Sequence, residues 1–376
     1  MTKINLHIVS FDIPFPANCG GVIDVFYKIR ALHRAGISIQ LHCFEYDRKP
    51  APELEKLCTS VHYYHRETGF LTNVSLRPYI VSSRRSPDLI NNLLKDQNPI
   101  LFEGLHTCGF MADERLKGRF MIYRESNIEH HYYYHLFKAE KNLGKKIFFL
   151  AESIRLRYFQ HILSNASLML TVSKDDTQYL ASVFPQNHVL YLPSFHNNDE
   201  VSIKPGRGTY ALYQGKLSVP ENSVAAEFLI NEVWEDSFPE LVIAGLNSPA
   251  WLTRLGAERT NIRFVHNPSD DQMISLIQEA HLNIMVTFQP TGLKLKLLNA
   301  LFCGRFCLVN PQMVVGTSLD GLCHLASNPI GFKEKISFLF NQDFDEAHIH
   351  HRAFVLMKHY SNQNNCKLLV EILTLC

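Results

Sequence analysis

The chain has 376 residues, of which 46% are hydrophobic and 19% charged, a composition typical of a soluble globular protein. Its 37 basic and 36 acidic residues leave a formal net charge of +1, which argues against general nucleic-acid binding because that function usually needs a clear basic excess. The length suits two domains better than one hydrophobic core. The amino terminus is too polar for a signal peptide, no apolar run could span a membrane, and nine scattered cysteines suggest reduced thiols, so we expect a cytoplasmic protein.

Short apolar strands alternate with helical patterns along the whole chain. In the first half, strands are predicted at 4–10, 37–43, 60–64, 100–105, 120–124 and 168–172, and the first helix at 20–32. In the second half, strands are predicted at 210–213, 241–244, 262–265, 282–288 and 307–309, and helices at 222–232, 270–279 and from 293 to a stop at 304. Strands that are separated by helices favour parallel, doubly wound sheets.

Turn-forming residues without periodicity occupy 193–208 and indicate a linker between two domains. We therefore place a first Rossmann-like domain at 1–195, a second at 196–350, and a carboxy-terminal helical segment at 351–376. The predicted fold class is α/β, with two facing doubly wound domains. Ligands are expected in the cleft between the domains, where parallel strands end.

Paired glycines, Gly20 and Gly21, lie between the first strand and the first helix. Such a pair lets a ligand approach the backbone closely, although an ordinary tight turn has the same pattern. The spacing does not match Gly-x-Gly-x-x-Gly, so a nicotinamide site is poorly supported.

Polar side chains follow the next two strands of the first half. His106 comes directly after the strand at 100–105 and could bind a sugar hydroxyl or a phosphate, or exchange protons; a purely structural histidine is the alternative. Asn127 and Glu129 lie in a polar run after the strand at 120–124 and suggest substrate contacts. The same run could instead cap a helix at Ser126 or Asn127, with Glu129 in the first turn, and both roles are compatible.

Two strand-to-helix loops of the second half suit a diphosphate. In the first loop, Gly215 and Lys216 precede Asn222, which could cap the helix or reach the same ligand. In the second, the predicted helix begins near Leu293, so its free N–H groups and positive dipole end point to the crevice at the strand end. Lys294 and Lys296 add full positive charges there. These loops suggest a nucleotide-linked substrate.

The stretch 138–157 carries six lysines and arginines among apolar residues and predicts a basic amphipathic helix. Such a helix can lie on an anionic membrane surface, whereas an ordinary packed helix with a solvated face is the alternative.

Taken together, these segments resemble the two-domain (GT-B fold) glycosyltransferases, and in particular the retaining group often called family 4, as found in bacterial enzymes that build cell-surface polysaccharides. The resemblance covers nearly the whole chain in order. It rests on the glycine loop, a Val-Ser strand end, the phosphate-contacting loop, the strand and turn after it, and the donor-binding helix, at 14–21, 171–174, 213–222, 241–245 and 291–304.

The resemblance implies transfer of a hexose, with retention of configuration, from a nucleoside-diphosphate sugar to a saccharide or lipid-linked acceptor. It implies a second domain that holds the donor, a first domain that holds the acceptor, and a last helix that crosses back to the first domain. No protein nucleophile, organic cofactor or metal is implied. Partners would be the donor, the acceptor and, peripherally, the cytoplasmic face of the inner membrane, with no nucleic acid.

Site residues are assigned by the same resemblance. The catalytic set is His106, Lys216 and Lys296. The donor-binding set is Gly215, Asn222, Thr291, Gly292, Leu293, Lys294 and Asn299. The acceptor-side set is Gly20, Gly21, Asn127 and Glu129.

The chain departs from the family pattern in its donor region. Thr291 and Asn299 stand where the family often has two glutamates, of which the first contacts the sugar and the second the ribose. Lys216 and Asn222 stand where an arginine and a lysine are usual, so one positive charge is lost, which Lys294 or Lys296 could restore.

Two alternative functions are compatible with these departures. A degenerate member could act as a scaffold for a polysaccharide-assembly partner, with the fold retained and no nucleotide affinity. A sugar-nucleotide epimerase shares the architecture and would need carboxylates as acid and base, for which Glu103, Glu125 and Glu129 are available.

Overall fold

The computed structural model describes residues 4–69, 75–140, 142–288 and 294–375. Contacts divide these residues into two compact units. The first unit holds the described residues up to 197 together with 362–375, and the second holds 198–288 and 294–361. Sequence analysis placed the corresponding boundaries after 195 and 350. Each unit is a parallel sheet with helices, so the predicted doubly wound α/β class is confirmed.

Seven parallel strands form the sheet of the first unit among the described residues. They are β1 (Asn5–Ser10), β2 (Ser38–Glu45), β3 (Ser60–His65), β4 (Ile100–Glu103), β5 (Met121–Arg124), β6 (Leu168–Thr171) and β7 (His188–Tyr191), in the spatial order β3-β2-β1-β4-β5-β6-β7. Sequence analysis missed β7, a short edge strand that is only partly buried.

The helices of the first unit cover both faces of this sheet. They are α1 (Gly20–Arg34), α2 (Pro52–Glu55), α3 (Tyr79–Ser82), α4 (Pro87–Leu93), α5 (Glu129–Ala139), α6 (Leu143–Phe159), α7 (Lys174–Val183) and α15 (Asn362–Thr374). Neighbouring residues of a strand point to opposite faces, so Ile8 packs in one apolar cluster with Val25 of α1, and Val9 packs in the other with Phe102. Burial of both faces is typical of a parallel sheet.

Six parallel strands form the sheet of the second unit, again counting only what the structure describes. They are β8 (Tyr210–Lys216), β9 (Glu240–Leu246), β10 (Ile262–His266), β11 (Leu282–Met285), β12 (Phe306–Val309) and β13 (His324–Leu325), in the order β10-β9-β8-β11-β12-β13. Its helices are α8 (Pro220–Phe228), α9 (Ala250–Ala257), α10 (Asp270–Glu279), α11 (Leu295–Cys303), α12 (Pro311–Val314), α13 (Pro329–Leu339) and α14 (Glu346–His359).

The strand order reverses once in each sheet. The reversal lies between β1 and β4 in the first unit and between β8 and β11 in the second. Connections on the two sides of such a point leave the sheet in opposite directions, which opens a crevice at the carboxyl ends of the two strands. The residues that follow β1, β4, β8 and β11 are therefore the ones best placed to meet a ligand.

The predicted single helix at 138–157 is wrong, because this stretch contains the end of α5 and most of α6. Glu140 leaves the helical conformation with a ψ of 135°, and Asn142 begins the next helix by accepting a hydrogen bond on Oδ1 from the Lys145 amide at 3.1 Å. The two helices then pack on each other, with the Tyr133 and Phe149 rings 6.0 Å apart.

The carboxy-terminal helix is likewise interrupted. Sequence analysis placed one helical segment at 351–376, but α14 ends at His359 and α15 begins at Asn362. The Asn362 side chain bonds both main-chain groups of His196, with its Nδ2 2.7 Å from the carbonyl oxygen and its Oδ1 3.1 Å from the amide. These bonds fix the start of α15 in the first unit, where it packs against α1.

Along the described residues, no helix combines the length and the apolarity needed to cross a bilayer.

Candidate functional site

The loop after β1 is fixed by two arginines from elsewhere in the first unit. Arg84 donates from Nε to the Phe11 carbonyl at 2.6 Å, and Arg48 donates from Nη1 to the Pro16 carbonyl at 2.5 Å. The predicted glycines open α1 at the end of this loop. A Cβ on Gly21 would lie 2.7 Å from Cζ of Phe11, whereas a Cβ on Gly20 would meet nothing within 4 Å. The lack of a side chain at Gly21 therefore leaves space for the Phe11 ring, whereas the space beside Gly20 at the start of α1 is empty.

His106 lies beside this loop in a short 3-10 helix, Leu105–Phe110, that replaces the predicted end of the strand. Gly104 makes the turn with a φ of 73°, a conformation that favours glycine. The His106 ring is 5.3 Å from the Phe11 ring, centroid to centroid, and its buried Nδ1 has no hydrogen-bond partner among the described residues. Burial, reinforced by Arg84 and Arg66, lowers the pKa of His106 well below its usual value. The imidazole is therefore neutral, and Nε2 is the nitrogen that a ligand could reach.

A buried carboxyl group follows β5 close to His106. Oε1 of Glu129 lies 3.9 Å from Nδ1 of His106, and burial raises the pKa of Glu129 to about 8 although Arg84 opposes the shift. Glu129 is therefore largely protonated near neutral pH and able to donate a hydrogen bond. Burial also raises the pKa of Glu125, which directly follows β5, well above its usual value, and its Oε2 accepts the Val172 amide at 3.3 Å.

The predicted helix cap at this point is wrong. Ile128 occupies the N-cap position of α5 and offers no side-chain hydrogen bond, and Glu129 is the first helical residue. Asn127 is half-buried in the turn between β5 and α5. Asn127 therefore does not cap the helix, and its contact with substrate stays a prediction.

The third carboxylate of the epimerase alternative, Glu103, has a structural partner. Its Oε1 lies 2.7 Å from Nζ of Lys28, which also contacts Asp24 at 3.0 Å, and these three side chains are fully buried. Burial alone would raise the pKa of Asp24, but Arg124 and Lys28 outweigh burial and hold it at about 2. This cluster ties strand ends to α1 and leaves Glu103 little freedom to act as an acid or base.

The candidate donor residues of the second unit meet at the start of α8. Nζ of Lys296, from α11, lies 3.3 Å from Oδ1 of Asn222, and Nδ2 of Asn222 donates to the Lys216 carbonyl at 3.1 Å. Burial lowers the pKa of the Lys296 ammonium, and the Glu221 carboxylate opposes that shift. Asn222 does not cap the helix as predicted, because Val219 takes the N-cap position. Instead it connects the loop after β8 with a cation from α11.

The residues after β11 are held in place from the neighbouring strand end. Asn310, which follows β12, donates from Nδ2 to the Thr287 carbonyl at 2.6 Å and accepts the Thr287 amide at 3.1 Å. The Thr287 hydroxyl donates to Oε1 of Glu221 at the start of α8. The strand end of β11 is thereby tied to the same helix start as Lys296.

Two glycines allow the backbone of the loop after β8 to pack closely against its neighbours. Gly215 and Gly245 are partners in the β8–β9 register, and a Cβ on Gly245 would lie 1.9 Å from the Gly215 carbonyl oxygen. A Cβ on Gly215 would lie 3.0 Å from Cγ of Asn222. Gly245 is thus required by packing, and a side chain at position 215 would press on Asn222.

The remaining predicted donor residues are only partly placed. Lys294 is the N-cap residue of α11, and Oδ1 of Asn299 accepts a hydrogen bond from Nδ2 of Asn198 at 2.9 Å. Thr291, Gly292 and Leu293 lie outside the described residues.

The structure brings Gly21, His106 and Glu129 together in the first unit, and Gly215, Asn222 and Lys296 in the second. Sequence analysis missed Arg84, Glu221, Thr287 and Asn310. Asn310 follows a predicted apolar strand, so its position after a strand end could have identified it. Thr287 lies inside the strand predicted at 282–288, which ends at Met285 in the structure. Arg84 carries no such signal, because its contact with Phe11 spans 73 residues.

In the described ranges, no group of three or more His, Cys, Asp or Glu side chains is placed to hold a metal ion. The expectation that the protein needs no metal therefore stays a prediction.

No protein-family model matches the chain. It is similar to an uncharacterized 44.6 kDa protein in the cps region of Klebsiella pneumoniae, with 26% identity over 338 residues that cover 83% of this chain and 82% of the relative.

Solved structures of glycosyltransferases match nearly the whole chain. TarM superposes with a TM-score of 0.71 at 10% identity, covering 99% of both chains. A glycosyltransferase from Rickettsia africae gives 0.67 at 12% identity, covering 99% of this chain and 98% of that one. HepE from Anabaena, in complex with UDP and glucose, gives 0.64 at 12% identity and 100% coverage of both. The chain shares the GT-B fold of these glycosyltransferases.

Proposed function

We propose that the protein is a retaining glycosyltransferase that moves a hexose from a nucleoside-diphosphate sugar to a saccharide or lipid-linked acceptor. The observation that carries the proposal is the buried ammonium of Lys296 held 3.3 Å from Asn222 at the amino terminus of α8. Asn222 stands where the family usually has a lysine, so Lys296 supplies from another helix the charge that the loop lacks.

The donor diphosphate would bind in the second unit between these groups. The positive dipole end of α8 and the Lys216 and Lys296 ammonium groups attract an anion. Negative charge grows on the diphosphate as the glycosidic bond breaks, and fixed cations stabilise that charge without reorganising. Because Lys296 is buried, its interaction with the phosphate is screened less than that of an exposed lysine.

The acceptor would bind in the first unit. The neutral His106 can accept or donate one hydrogen bond through Nε2, and the protonated Glu129 carboxyl lies beside it. Such groups orient sugar hydroxyls without attracting the anionic donor. The acceptor proton would pass to the departing diphosphate oxygen, so no residue of the chain needs to act as a nucleophile.

The comparisons suggest which substrates to test first. HepE, which shares the fold, has been crystallised with UDP and with UDP-glucose, so uridine diphosphate sugars are the first donors to try. The relative from a cps region favours an acceptor in surface polysaccharide synthesis.

Thermal unfolding with a panel of nucleoside diphosphates tests the donor site. A nucleotide at one hundred times its dissociation constant should stabilise the native protein by ~2.7 kcal/mol. Lys296→Met should abolish that shift, whereas Lys335→Met, at an exposed lysine of α13, should retain it. Measurements with EDTA and with Mg²⁺ would show whether binding needs a metal.

The nucleotide response, together with an analysis of the products, separates the alternative functions. Wild-type protein that responds to no nucleotide would contradict the transferase and favour the scaffold. Nucleotide binding followed by epimerised sugar nucleotide, in the absence of any acceptor, would favour the epimerase.

A further inference from the structure

The outer face of α6 is an apolar stripe that stands in solvent. Leu143, Ile147, Leu150, Ile154 and Tyr158 recur at spacings of three and four, which places them on one side of the helix. Their exposed fractions are 72%, 62%, 36%, 50% and 73%. Scattered apolar residues are normal on protein surfaces, but a continuous helical stripe of this kind marks an interaction surface.

The opposite face of α6 is firmly packed against the first unit. The exposure of the stripe therefore does not come from a helix that lacks packing contacts. Glu152 accepts the Tyr79 amide on Oε2 at 2.7 Å, and Ser153 donates to the His130 carbonyl at 2.8 Å. Leu156 is fully buried in the core of the first unit. These contacts fix the rotation of α6 and hold the apolar stripe outward.

Basic side chains border the stripe. Arg157 is exposed on α6, and Lys146 lies on the same helix with its ammonium 5.2 Å from the Phe137 ring centroid. On the neighbouring α5, the exposed Lys138 lies 4.7 Å from the ring centroid of Tyr134, which is itself 41% exposed. Apolar residues edged by cations and aromatic rings match the interface of a bilayer that carries negative charge.

We propose that the apolar stripe of α6 docks the protein on an anionic lipid bilayer. The stripe is the convex side of a helix, which fits the plane of a membrane, and the surrounding cations fit acidic headgroups. Arg155 is neutralised by Glu152 at 2.8 Å, so the charge available to lipid comes mainly from Lys138, Lys146 and Arg157.

Docking would bring the acceptor-side residues close to lipid. The helix α5, which packs against α6, begins at Glu129 beside His106 and has 11 residues, a length of about 16 Å. A lipid-linked acceptor could then reach His106 from the membrane surface. The docking itself does not depend on the proposed transferase chemistry, so the two proposals can fail separately.

Co-sedimentation with vesicles tests the docking. The full-length protein should bind vesicles that contain about a third phosphatidylglycerol, and bind pure phosphatidylcholine vesicles much more weakly, because each cation near an anionic surface contributes to binding. The double variant Ile147→Glu, Ile154→Glu should reduce partitioning by roughly a hundredfold, since two isoleucine side chains can no longer enter the interface. Lys146→Gln with Arg157→Gln should reduce it by roughly thirtyfold.

A matched control uses exposed apolar residues of the second unit. Ile330→Glu with Phe354→Glu changes side chains that are 69% and 66% exposed, and should leave vesicle binding unchanged. Unchanged nucleotide-dependent thermal shifts in all these variants would show that the donor site is intact.

Two results would overturn the proposal. One is equal binding of the wild type and the Ile147, Ile154 variant to anionic vesicles. The other is a wild-type dimer in lipid-free sedimentation that the same variant converts to a monomer, which would assign the stripe to a second copy of the chain.

Discussion

The candidate sites of the two units occupy the same place in similar sheets but use opposite electrostatics. Around His106, burial disfavours the charged forms of the imidazole and of the Glu129 carboxyl group. Around Asn222, a buried ammonium is held on amide oxygen and beside the Glu221 carboxylate. A crevice at a strand-order reversal is thus a general position for a ligand, and the side chains decide which ligand. Neutral hydrogen-bonding groups suit a sugar, whereas a fixed cation suits a diphosphate.

The largest expected effect comes from the backbone contact that shapes the second site. Gly245→Ala would place a methyl group 1.9 Å from the Gly215 carbonyl oxygen, so the β8–β9 pair must separate. We expect a loss of about 3 kcal/mol or more in the free energy of unfolding. Gly20→Ala, in the first unit, is the control and should be neutral because a Cβ there meets nothing within 4 Å. Equal denaturant midpoints for the two variants would show that this contact is not tight.

The second effect is a pH dependence that belongs to the first site alone. The pKa of Glu129 is about 8 in the folded protein against 4.5 for an unperturbed glutamate. The folded state therefore binds the proton more tightly, so this stabilisation is complete below about pH 4.5 and is lost as the pH rises through about 8. Relative to Glu129→Gln, the wild-type free energy of unfolding should fall by on the order of a few kcal/mol between about pH 5 and pH 9.

Chemical denaturation of both proteins across that range measures the effect. Glu125 is present in both proteins, so the comparison with Glu129→Gln removes the part of its contribution that does not depend on Glu129. If the free energies of unfolding of the two proteins change with pH in parallel, Glu129 is ionised in the folded protein. The contrast between the two sites would then lose its main support.

A third effect separates the roles of the two sites in the reaction. His106→Ala should lower the rate of sugar transfer by roughly a hundredfold, because the hydrogen bond that orients the acceptor is lost. The dissociation constant for the nucleoside diphosphate should not change, since His106 lies in the first unit. Steady-state kinetics and calorimetry on the same variant would check both statements, and a weakened nucleotide affinity would contradict the division of roles.

The smallest effect concerns the fit of the glycine loop. Gly21→Ala would press a methyl group against the Phe11 ring, whose far edge can move. Because Phe11 contacts His106, we expect about a threefold rise in the acceptor KM with little change in stability. Gly20→Ala again serves as the control, and an equal KM in the two variants would separate Phe11 from acceptor binding.

Strong local patterns made most of the fold predictable. The helix Asp270–Glu279 begins and ends where sequence analysis placed it, because Ser269 and Gln272 form a capping box ahead of an amphipathic run. The breaks at Glu140 and Tyr360 were missed, since helical periodicity continues across both and the contacts that fix Asn362 come from His196, distant in the sequence.

The sites were predictable only where they follow strands. His106, Lys216 and Lys296 could be named because strand ends and helix starts have sequence signals. Their neighbours Arg84 and Glu221 could not, because Arg84 meets Phe11 and Glu221 meets Thr287 only through the fold. The proposal that Lys296 replaces a lysine at position 222 likewise depends on the distance between two helices. No local sequence pattern contains that distance.

The most direct test of the account is the nucleoside-diphosphate affinity of three proteins: wild type, Lys296→Ala, and Lys296→Ala combined with Asn222→Lys. If Lys296 supplies the positive charge that binds the diphosphate, the single variant should bind the nucleoside diphosphate roughly a hundredfold more weakly. The double variant should regain about tenfold or more of that loss, because a lysine at 222 returns the cation to the same helix start. Wild-type affinity in Lys296→Ala would contradict the claim that this site binds the donor diphosphate.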